Sequence, residues 1–513
     1  MSAQAMHRRE HVRMTTTTSH AGTTRRALLQ AGAAGVGALA LANVSQAQSR
    51  FPVPTQNRGL GPYGFLNRIM YAPTPEDMAR YTEIGHEAFL NEQLDPNAIL
   101  DTECEQKLRQ FQSLQLSPYK CLRELPDGVN PDWECVQSQI FRAVYSKRQL
   151  HEMMVEFWLD HFSTYIYNSN REVLPTHLRT IRRYALSNFH TLLTNVVKSV
   201  NLMWYLDNLN NTIGYNNENF PREFLELHSM GVDGGYTERD VKTLTKVFTG
   251  WGMDGYYDWP WDQTTNTKWG QFKFYPDLHD TTGGYFLGDT ADDRIPSGGQ
   301  EQGELVLQRV ALHPGTARHI CRKLIRKFVS YEGQANLLDG AVYTFLNSNG
   351  DIRSVLRYIL RDFRFAKHAK PKLKRPYHYV ISGLRATRAS VTDADALIWE
   401  LFYKMKQTPF HWAPPNGYPD AMNAWVDNLR PRWYFAFQLP MNWLWDAQMD
   451  IFALSKQRTR DAVMAVIDHR IFFNNMPPLR RQQLAATMST NPSTTQIREA
   501  YGLALASPEF QMH

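Results

Sequence analysis

Three imidazoles and the acids around them are the groups in this sequence best equipped to do chemistry. On a helical projection of His151–Phe162, Met153, Met154, Val155, Phe157, Trp158, Leu159 and Phe162 fill one broad arc, with Glu152, Glu156 and Asp160 opposite. His161 falls inside the apolar arc, so it is expected to be buried or to line a cavity, while the three acids read as a solvated face. Over Asn219–His228 the polar stripe is Asn219, Arg222, Glu223 and Glu226, and His228 sits near the centre of the opposite arc of Phe220, Phe224, Leu225 and Leu227. A third imidazole, in His279-Asp280, lies at the turn of the one hairpin the sequence predicts.

Brought together, His161, His228 and His279 could bind a divalent transition metal such as zinc, iron or manganese. Glu223, Glu226, Tyr236 and Asp280 could supply acid and base groups, with Asn219 and Arg222 contacting substrate. Against this, a lone histidine on an apolar face is more often a core residue hydrogen-bonded to a backbone carbonyl, and there is no His-Glu-x-x-His. Arg222 and Glu226, four apart, are more simply a helix-stabilising ion pair. The rings of Trp251, Tyr256, Tyr257, Trp259, Trp261 and Trp269 could form a platform for sugar rings, Trp251, Trp259 and Trp261 above all. A loop packed over the body is the alternative. Neither a Gly-x-Ser-x-Gly elbow nor a glycine-rich phosphate loop occurs.

The elements that must position these groups are mainly helical. Thr74-Pro75-Glu76-Asp77 opens a helix predicted over Met78–Leu94, Thr237 with Asp240 opens another that stops at Gly250, Pro314 opens a third running to Val329, and Asp351 caps Ile352–Leu360. Strand signals are confined to Phe272-Lys273-Phe274 and Tyr285-Phe286-Leu287, read as one hairpin about Gly283-Gly284. Long irregular stretches cover 252–300 and Gln407–Asn423, the latter through Pro414-Pro415-Asn416-Gly417-Tyr418-Pro419-Asp420. The expected fold class is therefore mainly α: a large helical domain with one small hairpin and long irregular loops, with the option of two subdomains divided near residue 300.

Residues 1–47 read as a twin-arginine signal peptide. Arg25-Arg26 precede the apolar run Ala31–Ala42, and Ser45-Gln46-Ala47 offers small residues for cleavage. Five of the 56 basic residues and one of the 50 acids lie in this segment, leaving 51 against 49 in a mature chain of about 465 residues. Such a balance carries no electrostatic footprint for nucleic acid, and no later apolar run approaches a membrane span. The mature chain is thus expected in the periplasm or secreted. Export of a folded chain fits prior loading of a cofactor. Cys104, Cys121 and Cys135 allow one disulfide in an oxidising compartment, whereas Cys321 reads as a small buried hydrophobe.

At these same segments the chain resembles the bacterial family named domain of unknown function 1800. The resemblance rests on Phe157-Trp158 with His161-Phe162, on Asn217-Glu218-Asn219-Phe220 through Arg222-Glu223 to Glu226-Leu227-His228, and on Gly231-Val232-Asp233-Gly234-Gly235-Tyr236-Thr237. It continues through Asp240-Val241, Phe248-Thr249-Gly250-Trp251, His279-Asp280, His313-Pro314, Thr316-Ala317 and Ala506-Ser507-Pro508-Glu509-Phe510. It implies export and a helical body but no established activity. It also implies, as a partner, an exported protein of the unknown-function 1501 family, which resembles sulfatases and alkaline phosphatases. Gly284 and His378 stand where the family often has lysine and glutamate. Together these readings lead to an extracytoplasmic, metal-assisted enzyme acting on a polysaccharide or other envelope polymer. The alternatives are a metal-free lyase or hydrolase and a non-catalytic polysaccharide-binding or assembly protein.

Overall fold

Helix starts follow the capping chemistry written in the sequence. The computed structural model describes residues 61–513 apart from 258–264, 333, 362–364 and 366, so the expected signal segment and the Trp259 and Trp261 positions lie outside the described residues. Thr237 and Asp240 form a capping box, as do Thr74 and Asp77, and the Asp351 side chain accepts from Ser354 N–H. Pro314 occupies the first helical turn behind His313, whose ring accepts from Gly315 N–H. The helix predicted over Met78–Leu94 is broken by Gly85, whose φ of 81° lies in the left-handed region, into Pro75–Ile84 and His86–Leu94.

The helices that frame the site are α1 (Pro131–Tyr145), α2 (Gln149–His161), α3 (Leu174–Tyr184), α4 (Asn219–Glu226), α5 (Glu238–Val247), α6 (Gln300–Ala311), α7 (Pro314–Phe328) and α8 (Pro376–Thr387). The fold is mainly α, as the sequence indicates, and the described residues belong to one compact unit. Among them no helix is long and apolar enough to cross a membrane.

Strand pairing differs from the expected hairpin. Phe272–Phe274 pairs antiparallel with Trp251–Met253, while Gly284–Tyr285 pairs with Arg294–Ile295, so the two predicted strands lie in different ladders. Two features separate them: a 3₁₀ turn at Pro276–Leu278, and the approach of Gly283, where a Cβ would sit 2.2 Å from the Ile295 carbonyl oxygen. A third small sheet joins Ser390–Val391 to Ala447–Gln448. All four cysteines are free, buried thiols, so the disulfide the sequence allowed among Cys104, Cys121 and Cys135 is not formed.

Helix α2 runs through the centre. Met153, Met154, Val155 and Trp158 are fully buried, and the Trp158 indole donates to the Ala185 carbonyl at 2.8 Å. The expected solvated face is not solvated, because other elements cover it with cations. Glu152, 3% exposed, accepts two hydrogen bonds of 2.7 Å from the Arg182 guanidinium on α3. A bidentate pair of this kind satisfies the carboxylate geometrically where water cannot reach it. Removing one partner strands a buried charge, so Arg182→Met should lower unfolding free energy by about 3–5 kcal/mol. The Glu152→Met, Arg182→Met double variant should recover much of that loss in denaturant titration; equal losses in both would show that the pair is not the source.

Candidate functional site

Two side-chain stripes, each spaced by one helical turn, meet at the carboxyl end of α2. Helix α2 presents Glu156 and Asp160, and α7 presents His319, Lys323 and Lys327. Glu156 is held between Lys327 and Arg375, the latter from the turn that starts α8. Arg375 also donates to Asp160 at 2.6 Å. Burial raises the Glu156 pKa, but Arg375 and Lys327 outweigh it and leave the group below its ordinary value. Asp160 goes the other way: burial and the neighbouring Glu156 charge lift its pKa despite Arg375. Its side chain keeps 22% of its surface exposed, against 11% for Glu156, so Asp160 is the accessible member of the pair.

The irregular stretch 407–423 covers this end of α2. Gly417, with φ of 72°, lies so close to the Asp160 carbonyl oxygen that a Cβ there would sit 2.0 Å away. Further along, Asp420 accepts from Lys372 at 3.1 Å, and its backbone carbonyl accepts from Arg326 at 3.1 Å. A recess of roughly 20 Å³, room for about one water, remains between this loop and α2. Glu156, Asp160, Ser163, Tyr377, Gln407 and Tyr418 are among its walls.

At the last turn of α2, His161 and His228 exchange backbone caps. His161 Nε2 donates to the His228 carbonyl at 3.0 Å, and His228 Nδ1 donates to the His161 carbonyl at 2.9 Å, which occupies carbonyls that a helix end leaves without intrahelical partners. This fixes the tautomers from the partners present. The remaining lone pair of His161, on Nδ1, accepts from Lys323 Nζ at 2.8 Å. Burial lowers the His161 pKa well below its ordinary value, with the Lys323 charge adding to the effect. Burial likewise pushes Lys323 down to about 8, Arg326 adding to the shift while Asp160 and Asp420 oppose it. His228 and His319 are pushed down by burial to about 3 and about 4.

The other candidates fall into two groups. Tyr236, Glu223, Glu226 and Arg222 lie near one another, and burial followed by Glu226 pushes the Tyr236 hydroxyl up to about 12. Arg222 pairs with Glu218 and, in two contacts, with Glu238 instead of the expected Glu226. Asn219 donates to the Leu206 carbonyl. His279 is buried elsewhere, its nitrogens facing the Thr249 carbonyl oxygen at 2.8 Å and Gln302 Oε1 at 3.0 Å. The Gln302 amide nitrogen is committed to the Thr281 and Pro296 carbonyls, so its Oε1 faces the His279 ring as an acceptor. Asp280 accepts from the Thr282 amide and hydroxyl in a local turn. Among the described residues, no group of three or more His, Cys, Asp or Glu is placed to hold a metal ion. The structure thus joins His161 to His228 and leaves His279 outside their contact. Trp251 and Trp269 are core residues, 1% and 4% exposed, and not a surface platform.

The sequence profile of the family described as Protein of unknown function (DUF1800) matches residues 64–512. The chain belongs to this family. No curated protein and no solved structure matches it. In this DUF1800 member three of the segments that carry the resemblance meet at the cluster. Phe157–Phe162 ends α2, Asn219–His228 forms α4 and the exchanged cap, and His313-Pro314 starts the helix that carries His319 and Lys323. Gly231 has φ of 82°, and a Cβ there would meet His319 Nδ1 at 2.6 Å, so the glycine also makes room for this ring. Lys323, Lys327, Arg375 and Asp420 escaped the sequence reading. A signal existed in the one-turn spacing of His319, Lys323 and Lys327, which complements that of the α2 acids.

The depressed histidines tie stability to pH. The unfolded chain protonates them near 6.5 and the folded chain only near 3 to 4, so their stabilising contribution is complete above about pH 6.5 and is lost as pH falls through that window. His228 alone is worth up to about 2 kcal/mol of loss by pH 5. Melting temperature should therefore fall between pH 7.5 and 4.5, and the drop should shrink in His319→Gln; a flat profile would contradict the assignment.

Proposed function

We propose that this DUF1800 member is an exported hydrolase that cleaves an envelope or extracellular polymer by acid–base chemistry, with Asp160 as general base and Lys323 as general acid. The observation that carries this reading is the opposite displacement of two neighbouring groups: a partly exposed carboxyl raised above its ordinary value and a lysine ammonium brought down to about 8. Around neutral pH the carboxylate can take a proton and the ammonium can give one. A water seated in the recess beside Asp160 loses a proton to that carboxylate as its oxygen bonds to the electrophilic carbon. The leaving oxygen departs with the bond pair and takes the Lys323 proton. Arg375 positions Asp160, and His161 orients Lys323 while remaining neutral. The leader supports action outside the cytoplasm.

The site is tested with protein purified after native export, assayed for new chain ends on envelope polysaccharides. Asp160→Asn and Lys323→Met should each lower turnover by about 10²–10⁴-fold with the melting temperature little changed. Rate should rise with pH through the raised Asp160 titration and fall above about 8 as Lys323 is deprotonated. Full activity in both variants would overturn the assignment, and loss of activity with a chelator, restored by metal, would return the chemistry to a metal-assisted enzyme. Arg25→Lys with Arg26→Lys should trap the precursor in the cytoplasm; normal export of that variant would remove the localisation.

A further inference from the structure

Between α1, α3 and the 3₁₀ turn Ser113–Gln115 lies a hollow of about 470 Å³ in which every charged residue among the described walls is an arginine: Arg142 on α1, and Arg179, Arg182 and Arg183 on α3. Gln115 and Arg183 are exposed, so the hollow opens to solvent. Arg179 precedes Arg182 by three residues and Arg183 by four, a spacing that sets like charges side by side on one helix and is unfavourable without an anion. Glu152 answers one of the four, through its two bonds from Arg182. Among the described residues no carboxylate pairs with the other three. Arg179 is held by neutral oxygens, donating to the Leu114 carbonyl at 2.7 Å and the Thr176 hydroxyl at 2.8 Å. Arg183 lies over the Tyr184 ring, 5.5 Å from its centroid. Arg142 is the least satisfied, because its Nε is shielded from solvent and meets no acceptor. Burial lowers its pKa and the Arg182 charge lowers it further, against the opposing effects of Glu152, Cys104 and Asp101. A buried donor without an acceptor is costly, and a bound anion would remove that cost.

We propose that this hollow binds the phosphate monoester of a small hydroxyl-bearing molecule such as a sugar, with Arg142 and Arg179 gripping the phosphate and Arg183 adding charge at the mouth. The site is separate from the Asp160 recess and does not depend on the hydrolase reading. Charge selects the head of the ligand. Guanidinium forks match the oxygens of a tetrahedral anion, and three cations without a carboxylate call for more than one negative charge. A phosphate monoester carries close to two charges near neutral pH, whereas a sulfate ester or a carboxylate carries one. Size and lining select the rest. The hollow is far larger than a bare phosphate and falls in the range of small-molecule sites. Thr176, Thr180 and Asn195 supply short polar walls beside the arginines, which suit hydroxyl groups.

Binding is measured by calorimetry on the full mature chain at low ionic strength, with inorganic phosphate, a hexose phosphate, the matching hexose sulfate and a uronate as probes. Wild type should bind the hexose phosphate with a Kd of about 1 mM or tighter, and the sulfate and the uronate at least about tenfold more weakly. Arg142→Gln and Arg183→Gln should each raise the Kd for hexose phosphate about tenfold or more. Arg460→Gln, which removes an exposed charge beside Asp461, should bind as wild type does. Without ligand, Arg142→Gln should melt no lower than wild type, since it loses a repulsion and no paired carboxylate; if it melts well below, the exposed Arg183→Gln decides. Absence of hexose phosphate binding, equal affinity for phosphate, sulfate and uronate, or an unchanged Kd in Arg183→Gln would overturn the site. Binding of inorganic phosphate without the hexose phosphate would overturn the monoester.

Discussion

Everything at the candidate site depends on one constraint: the carboxylates along α2 are buried, so each must be met by a cation. Glu152 is met by Arg182, Glu156 by Lys327 and Arg375, and Asp160 by Arg375. A buried ion pair is weak evidence for net stability, because desolvation offsets most of the attraction. Its stronger effect is on arrangement. The spacing of Glu156 and Asp160 fixes how α7 lies against α2, with Lys327 beside Glu156 and Lys323 within electrostatic reach of Asp160. That register in turn brings Lys323 onto His161.

Unequal neutralisation is what gives the cluster its chemistry. Glu156 has two cations close by and stays ionised, while Asp160 shares one of them, feels the Glu156 charge and remains partly open to solvent. Among the described residues no carboxylate is in direct contact with Lys323; its hydrogen bond goes to a neutral imidazole. The exchanged caps of His161 and His228 make that imidazole neutral and immobile, because each ring spends one N–H on a backbone oxygen. The two histidines thus act on the site through the lysine they hold, as positioning residues.

Local chemistry was legible in the sequence where it was self-contained. Thr237 with Asp240, Asp351 and Pro314 each specify a helix start through groups within one turn, and each helix begins there. The inward direction of His161 and His228 was legible for the same reason, since it follows from periodicity alone. The α2 acids were misjudged because periodicity locates a polar stripe without saying what covers it, and the covering cations arrive from α3, α7 and residue 375, up to 219 positions away. The strands failed similarly: Phe272–Phe274 finds its partner at Trp251–Met253, a choice made by tertiary packing. Of the aromatic run at 251–269, Trp251 and Trp269 are spent on the core, which a count of rings along the sequence does not reveal.

The central claim is that burial between α2, α7 and the 407–423 loop leaves Lys323 titrating far below an ordinary lysine. Competitive labelling of the folded protein with a trace amine reagent across pH 6–11, read for each lysine by mass spectrometry, measures this directly. The account predicts a midpoint for Lys323 near 8. A midpoint beside those of surface lysines, near 10.5, would contradict it.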